Sequence, residues 1–263
     1  MDARQQGATG LVPTMGGLHA GHLSLMRHSE TVADTTFATI FLNPTQFAAG
    51  EDLDRYPQPI DEDLDRCRDA GVAHVFVPTA AMMYPRGFST SVVPPDVAEQ
   101  LEGVHRPGHF AGVCTVVLKL LQIIPTTHAL FGKKDYQQWR VLEAMVRDLN
   151  VGVEVVGCEI VRDLDGIALS TRNSYLDEDQ RRRALSLSAA LNDARMAYRA
   201  GRREASELEN VVTKRLDVDR TDYVSVRDAR TLEPIESVDC DAVVLIAAHI
   251  ASTRLIDNVE LLV

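Results

Sequence analysis

The sequence has 263 residues, 45% hydrophobic and 25% charged, which is ordinary for a globular protein of one large or two modest domains. This composition excludes a chain that is mainly disordered or mainly coiled coil. The net charge of −11 argues against a nucleic-acid binder and against binding to an anionic membrane, because both functions need a basic face.

Strand-like apolar runs alternate with helical stretches through the first two thirds of the chain. In chain order, we predict strands at 10–12, 36–42, 72–77, 129–131 and 153–161, and helices at 20–33, 60–70, 112–124 and 136–149. This alternation predicts an α/β fold with a Rossmann-like parallel sheet that is covered by helices on both faces. Ligands of such sheets bind at the carboxyl ends of the strands.

The last third of the chain has a different pattern, in which helices come first and strands follow. We predict helices at 177–200 and 203–216, and strands at 222–226, 242–250 and 253–261. This order indicates a smaller α+β domain at the C-terminal end. We therefore predict one domain over residues 1–161 and a second domain over residues 162–263.

The sequence also carries signals about the compartment. No apolar stretch approaches the ~18–20 residues of a membrane-spanning helix, and the N-terminal MDARQQGATG lacks the apolar region of a secretory signal. The four cysteines are widely separated and form no C-x-x-C pair, so neither a zinc site nor a disulfide framework is predicted. We expect a cytoplasmic protein without a membrane partner or a nucleic-acid partner.

The segment PTMGGLHAGH, at residues 13–22, follows the first predicted strand and leads into the first predicted helix. Its glycines let a ligand approach the backbone, and the free N–H groups of a helix start attract an anion. His19 and His22 are three residues apart, so both imidazoles can reach the phosphates of a nucleotide. Taken alone, H-x-x-H is more typical of a helix cap with surface histidines, and a metal site would need a third ligand that is not obvious nearby.

Six blocks of the sequence resemble, in the same order, the pantoate–β-alanine ligases (pantothenate synthetases), a family of the H-x-G-H nucleotidyltransferase superfamily. They are PTMGGLHAGH (13–22), FLNPTQF (41–47), EDLDRYP (51–57), RPGHFAGVCTVVLKL (106–120), FGKKDYQQ (131–138) and DGIALSTRNSYL (165–176). The resemblance implies that ATP and pantoate give pantoyl adenylate and pyrophosphate, and that β-alanine then gives pantothenate and AMP. It also implies a need for Mg²⁺, a C-terminal domain that acts as a lid, and a homodimer.

The resemblance assigns catalytic roles to three residues. His22 matches the family's proton donor, His19 binds the phosphates beside it, and Lys134 contacts the region of the α-phosphate. The loop at 170–172 resembles the family's S-S-R segment, whose hydroxyls and guanidinium suit the β- and γ-phosphates. The implied ATP-binding residues are Met15, Gly16, Gly17, Leu18, His19, Ala20, Gly21, His22, Gly132, Lys133, Lys134, Asp135, Val161, Leu169, Ser170, Thr171 and Arg172.

The resemblance also assigns a site for pantoate and β-alanine. A small hydroxy acid needs groups that both donate and accept hydrogen bonds, and the glutamine amide does both. Gln46 and Gln138 match the family's pantoate-binding positions, and Asn43 and Arg106 are further candidate members of this pocket.

Glu62 and Asp63 are candidate ligands of Mg²⁺, an ion that prefers oxygen ligands. The acidic run in which they lie is also typical of a helix start, where the helix dipole favours negative charge. In that interpretation the phosphates of ATP chiefly hold the ion.

Three residues depart from the family's usual pattern. Ala20 stands where glutamate is common, and its side chain is expected to point away from the face of His19 and His22. Lys133 replaces a glutamate, which reverses the charge beside Lys134, and we expect its side chain to point to solvent; Thr171 replaces a serine and keeps the hydroxyl. Two alternatives are open here: a nucleotidyltransferase with a different small acceptor, such as a cytidylyltransferase, and an inactive nucleotide-binding homologue. An apolar strand in the region 30–45 is expected to be exposed and is a candidate dimer interface.

Overall fold

The structure, a computed structural model, describes residues 7–48 and 50–263. Two compact units make up the chain. The first runs to Lys133 and resumes over Gln137–Glu159, and the second comprises Lys134–Tyr136 and Ile160–Val263. The sequence places a boundary between residues 161 and 162 but does not indicate that residues 134–136 cluster with the second unit. Within the described ranges, no helix has the length and apolar character to span a bilayer.

A parallel sheet forms the centre of the first unit, as the alternation of strands and helices predicts. Over the described residues it has five strands, β1 (Thr9–Thr14), β2 (Thr35–Ile40), β3 (His74–Phe76), β4 (His128–Gly132) and β5 (Glu154–Cys158). Their order is β3-β2-β1-β4-β5, so the order changes direction between β1 and β4. Ligands of such sheets bind in the crevice at this switch point, at the carboxyl ends of the strands.

Helices cover both faces of this sheet. They are α1 (Ala20–Val32), α2 (Ile60–Asp69), α3 (Ala80–Met83), α4 (Glu102–His105), α5 (His109–Ile123) and α6 (Tyr136–Asp148). Successive residues of β1 face opposite sides: Leu11 packs in one apolar cluster with Val113 and Leu142, and Val12 packs in another with Met26. Burial on both faces explains why the strands read as continuous apolar runs.

β2 is not the exposed strand expected in the region 30–45. It lies between β1 and β3, where Ala38 is in register with Val12 on one side and with Val75 on the other. Both of its edges are therefore paired, and four of its six residues are buried. The expectation of an exposed strand was wrong, because an apolar run without polar alternation is typical of a strand buried in the middle of a parallel sheet.

The second unit has the predicted α+β composition. Its helices are α7 (Glu178–Arg199) and α8 (Ala205–Arg215), and its antiparallel strands, paired in the order β6-β7-β8, are β6 (Arg220–Asp228), β7 (Ala242–Ile250) and β8 (Thr253–Leu261). Asp177 caps α7 and forms a capping box with Gln180. Leu191 of α7, Leu208 of α8 and Ile246 of β7 belong to one buried cluster, so the two helices cover one face of the small sheet.

Candidate active site

The glycine turn after β1 has a backbone that only glycine adopts readily. Gly16 and Gly17 have φ angles of 89° and 63°, in the left-handed region. The Thr14 hydroxyl donates to the carbonyl of Thr39 at 2.6 Å and accepts the N–H of Gly16 at 3.3 Å. The turn is therefore tied to β2 where it leaves the sheet.

A buried carboxylate holds the middle of this turn. The two oxygens of Asp63, in α2, accept the N–H of Gly17 at 2.7 Å and the N–H of Leu18 at 2.8 Å. Arg66, one turn further along α2, donates to the carbonyl of Leu18. Three hydrogen bonds from one helix thus fix the residues immediately before His19.

His19 and His22 cap the start of α1 and form a capping box made of two imidazoles. His19 Nδ1 accepts the N–H of Gly21 at 3.1 Å, and His22 Nδ1 accepts the N–H of His19 at 3.2 Å. The ring centroids are 4.1 Å apart. A neutral imidazole that accepts at Nδ1 carries its proton on Nε2, so each ring is a hydrogen-bond donor at that atom. The spacing of a capping box, i to i+3, could have indicated this arrangement in the sequence.

Glu62 and Asp63 do not fit a magnesium site. Asp63 is fully buried, with both oxygens accepting backbone N–H groups, whereas Glu62 is mostly exposed and lies 3.4 Å from Arg66 Nη2. In the part of the chain that the structure describes, no group of three or more histidine, cysteine or acidic side chains could hold a metal ion. The prediction of this pair as metal ligands is therefore corrected: Asp63 braces the turn, and Glu62 belongs to a charged helix start.

The turn after β2 places Gln46 beside Met15. Gln46 ends a 3-10 turn, Pro44–Gln46, and its side-chain Nε2 lies 3.2 Å from Met15 Sδ. Asn43, which precedes this turn, is buried; its Nδ2 donates to Gln46 Oε1 at 3.0 Å, and its Oδ1 accepts the Tyr84 hydroxyl at 2.7 Å. Asn43, predicted as a member of the pocket, thus uses its amide to orient Gln46. No signal in the sequence indicates the role of Tyr84.

Arg106, a predicted member of the pocket, is bound to two other side chains of the first unit. Its Nε and Nη2 each donate to an oxygen of Glu51 at 2.7 Å, and its Nη1 lies 3.1 Å from His109 Nε2. This side chain is largely buried, and the contacts with Glu51 and His109 use three of its five N–H groups. Glu51 lies in the segment 51–57, and its contact with Arg106 joins positions 55 residues apart, so it has no local signal in the sequence.

At the carboxyl end of β4, Lys133 does not point freely to solvent as expected. Its Nζ lies 2.6 Å from Glu159 Oε1 and 5.6 Å from the centre of the Trp139 ring. The unusual lysine therefore has its own acidic partner beyond β5. Of the two adjacent glutamines, Gln137 is buried and bonded to the backbone of Val97 and Gln100, whereas Gln138 is half-buried.

In the second unit, the backbone of Lys134 is anchored to β8, because Asn258 Nδ2 donates to its carbonyl at 3.0 Å. Lys134 Nζ lies 3.7 Å from Asp135 Oδ1. Tyr136 is buried, and its hydroxyl lies 3.0 Å from the carbonyl of Ala229. The sequence does not indicate this role of Asn258, since the contact joins positions 124 residues apart.

The remaining predicted nucleotide residues form a folded loop of the second unit. Leu169 N–H donates to the carbonyl of Val161 at 3.0 Å. Ser170 caps a 3-10 turn over Thr171–Tyr175 by accepting the N–H of Arg172 at 3.3 Å. The structure thus brings the predicted residues of this loop next to one another and holds the loop by its own backbone.

Comparisons with known proteins match nearly the whole chain to one family. The sequence model of the family described as Pantoate-beta-alanine ligase matches residues 1–260. The pantothenate synthetase of Rhodopirellula baltica is 53% identical over 258 residues, which cover 97% of this chain and 91% of the relative. That of Moorella thermoacetica is 46% identical over 263 residues, or 98% of this chain and 93% of the relative.

Solved structures with similar folds point to the same family. The pantothenate synthetase from Thermus thermophilus superposes with a TM-score of 0.94 at 40% identity, covering 97% of this chain and 94% of that chain. The pantoate-beta-alanine ligase from Francisella tularensis, crystallised with β-γ ATP and β-alanine, gives a TM-score of 0.81 at 31% identity, covering 97% and 90%. The chain belongs to the pantoate–β-alanine ligase family.

Proposed function

We propose that this chain is an ATP-dependent ligase that joins pantoate to β-alanine. A carboxylate oxygen of pantoate attacks the α-phosphorus of ATP, and the bond from that phosphorus to the bridging oxygen breaks, which releases pyrophosphate and leaves pantoyl adenylate. The amine of β-alanine then attacks the acyl carbon, loses a proton and displaces AMP, which gives pantothenate. The observation that carries this proposal is the match of the family's sequence model to residues 1–260.

His19 and His22 are proposed to act on the phosphates in the first step. The reaction brings two anions together, and charge develops on the departing pyrophosphate, so fixed donors contribute most of the catalysis. Each ring accepts a backbone N–H at Nδ1, which supports a neutral imidazole with a donor N–H at Nε2. His22 is proposed to donate a hydrogen bond from Nε2 to the departing pyrophosphate, at the place that the resemblance gives to the family's proton donor.

Lys134 and the segment 170–172 are proposed to bind the remaining phosphate oxygens. A lysine ammonium, two hydroxyls and a guanidinium suit that task. The anchoring of Lys134 by Asn258, and the cap that Ser170 makes, support a fixed placement of both within their own unit. Mg²⁺ is proposed to be held by phosphate oxygens and water, and no step depends on a protein carboxylate bound to it.

Gln46 and Gln138 are proposed to bind pantoate. The contact between Asn43 Nδ2 and Gln46 Oε1 sets the orientation of the Gln46 amide, so that its NH₂ end lies toward Met15 and the turn after β1. This supports Gln46 as a donor to a carboxylate or hydroxyl oxygen. Gln138 is half-buried while its neighbour Gln137 is used in packing, which supports Gln138 as the second ligand.

The second step needs positioning more than chemical activation, since an acyl adenylate already reacts with amines. Effective molarities of about 10⁵–10⁸ M are available from positioning alone. The C-terminal domain is proposed to serve as a lid that excludes water from the adenylate.

The proposal is tested by following pyrophosphate and AMP with the purified chain, ATP and Mg²⁺. We expect pyrophosphate release that requires pantoate, and AMP and pantothenate that appear when β-alanine is added. Release that does not depend on pantoate would count against the ligase. A preference for CTP with a nucleotidyl product as the end point would favour the cytidylyltransferase-like alternative, which the names of the relatives do not favour. Binding of ATP without turnover would favour the inactive homologue.

We further propose a cytoplasmic location and a homodimer, as the resemblance implies. All four cysteines are free thiols, three of them buried, which supports a reducing compartment. Cell fractionation and sedimentation equilibrium test these two statements. Recovery in a membrane or secreted fraction, or a monomer at micromolar concentration, would contradict them.

A further inference from the structure

A chain of four polar groups lies behind Gln46. Glu51 holds the guanidinium of Arg106 by two hydrogen bonds of 2.7 Å, and Arg106 Nη1 lies 3.1 Å from His109 Nε2. His109 Nδ1 in turn lies 2.8 Å from the main-chain carbonyl of Gln46. The carboxylate, the guanidinium, the imidazole and the carbonyl are thus linked one after another by hydrogen bonds.

Only one form of His109 satisfies both of its contacts. The Gln46 carbonyl can only accept, so Nδ1 must carry a proton; Arg106 Nη1 can only donate, so Nε2 must be unprotonated. A protonated imidazole would set an N–H against the N–H of Arg106. The neutral form with the proton on Nδ1 is therefore the form that this geometry fixes.

Burial and charge act in the same direction as this geometry. His109 is buried, and burial, with a smaller effect of Arg106, lowers the pKa of its imidazole to about 4. The hydrogen bond to the Gln46 carbonyl raises the pKa of His109, as do the carboxylates of Glu102 and Glu51, but their combined effect is smaller than that of burial and Arg106. The ring is thus neutral over the pH range in which a cytoplasmic enzyme works.

The helix that carries His109 is also packed tightly against the turn of Gln46. A Cβ added at Gly112 would lie 2.4 Å from the carbonyl oxygen of Thr45 and 2.7 Å from the backbone nitrogen of Gln46. Gly112 lies one turn after His109 in α5, so the first turn of this helix holds the backbone of Gln46 at two points. Asn43 holds the side-chain amide of the same residue.

We propose that His109 is a positioning residue, which transmits the fixed placement of the Arg106–Glu51 ion pair to the backbone of Gln46 and so aligns the Gln46 amide for the hydroxy acid. His109 does not itself touch the substrate. The inference rests on the proposed function, in which Gln46 binds pantoate.

The test compares His109→Phe, His109→Gln and Glu51→Gln with the wild-type chain and with His28→Gln, a control at an exposed position of α1. His109→Phe keeps a ring but leaves the Gln46 carbonyl without its donor, so we expect the KM for pantoate to rise about 10-fold. His109→Gln supplies one donor and one acceptor, so we expect a smaller rise. Glu51→Gln weakens the hold on Arg106, so we expect the KM for pantoate to rise about 3-fold. The KM for ATP should change less than 2-fold in each.

A measurement on the wild-type chain keeps the proposal testable even if His109→Phe does not fold. With histidine labelled by ¹⁵N, we expect the His109 signals of a protonated Nδ1 and an unprotonated Nε2, unchanged from pH 8 to pH 5. A His109 that titrates near pH 6.5, or that is protonated on Nε2 alone, would overturn the proposal. So would folded His109 variants with an unchanged KM for pantoate, or with equal rises in both KM values.

Failure of this inference is distinguishable from failure of the proposed function. If the wild-type chain makes no pantothenate, or if Gln46→Ala leaves the KM for pantoate unchanged, the assignment of Gln46 fails first. If the wild-type chain is active and Gln46→Ala raises that KM while His109→Phe does not, only the role of His109 is overturned.

Discussion

Two neighbouring turns of the first unit are held by opposite kinds of group. The turn after β1 is held by a buried charge, since both oxygens of Asp63 accept its backbone N–H groups. The turn after β2 is held by neutral groups, the Asn43 amide and the His109 imidazole. The β1 turn therefore uses its backbone donors for bracing, and the two imidazoles are the groups proposed to bind the phosphates. The β2 turn uses most of its side chains for bracing, and Gln46 is the one proposed to bind pantoate.

The largest effect is expected at His22, the proposed donor to the phosphates in the β1 turn. We expect His22→Ala to lower kcat/KM by about 10²–10³, or about 3–4 kcal/mol, because one fixed donor to the phosphates is lost. Steady-state pyrophosphate release measures this, with His28→Ala as the matched control on the exposed side of α1. A loss of less than tenfold would show that His22 is not the main donor.

Removal of the buried charge at Asp63 tests how the β1 turn is braced. In Asp63→Asn one N–H of Gly17 or Leu18 would face an NH₂ group, so we expect the free energy of unfolding to fall by about 2–3 kcal/mol. The KM for ATP should rise about tenfold, because the turn carries His19 and His22. Asp65→Asn, exposed on the same helix, is the control for urea unfolding.

The concentration of Mg²⁺ that gives half-maximal activity separates bracing from metal binding at Asp63. It should be the same in Asp63→Asn and in the wild type when ATP is saturating. A large shift in this concentration with unchanged stability would mean that Asp63 binds the ion after all.

The neutral bracing of the β2 turn predicts a loss of stability in acid. The pKa of His109 is about 4 in the fold against 6.5 for the free side chain, so below pH 6.5 the unfolded chain binds a proton that the folded chain does not. Stability therefore falls as the pH falls from 6.5 toward 4, by about 1.4 kcal/mol per unit for this residue at most. Urea unfolding at pH 6.5 and pH 4.5 should show a loss about 2 kcal/mol larger in the wild type than in His109→Gln. Equal losses would contradict the buried neutral imidazole.

The smallest expected effects lie in the side-chain bracing of Gln46. Asn43→Ala removes the partner of Gln46 Oε1 and of the Tyr84 hydroxyl, so we expect about 2 kcal/mol of lost stability and a severalfold rise in the KM for pantoate. Tyr84→Phe removes the hydrogen bond to Asn43 Oδ1 and the longer one with Thr45 Oγ1 at 3.3 Å, so it should cost about 1 kcal/mol of stability and raise the KM for pantoate about twofold. If Tyr84→Phe has the larger effect on the KM for pantoate, Tyr84 acts on the substrate rather than through Asn43.

Most of the helices and strands could be predicted because their signals are local, whereas α3 and α4 have only four residues each, which is too short for an apolar period to show. Apolar periodicity and glycine stops predicted α2 as 60–70 where the structure has Ile60–Asp69, and predicted β8 as the structure has it, Thr253–Leu261. The position of β2 inside the sheet could not be obtained in this way, because strand order depends on pairing between distant segments.

The motifs of the sequence identify the candidate site residues, but they do not identify the residues that hold those side chains and turns in place. Asp63 reaches the turn after β1 across 45 residues, and Glu51 reaches Arg106 across 55. An acidic residue in a helix start looks the same in the sequence whether it braces a backbone, binds a metal ion or faces water. Burial decides among these, and burial is a property of the folded chain.

The placement of Tyr136 has a consequence for anyone who wishes to dissect this polypeptide. It is 1% exposed, and its hydroxyl binds the carbonyl of Ala229 and the carboxylate of Glu260, although more than 20 residues of the first unit lie between it and Ile160. A recombinant C-terminal fragment produced by a single cut would lack this tyrosine and expose the polar groups that it covers. To express the second unit with this contact intact, residues 134–136 would have to be added to the fragment, so the unit cannot be transferred as one continuous segment.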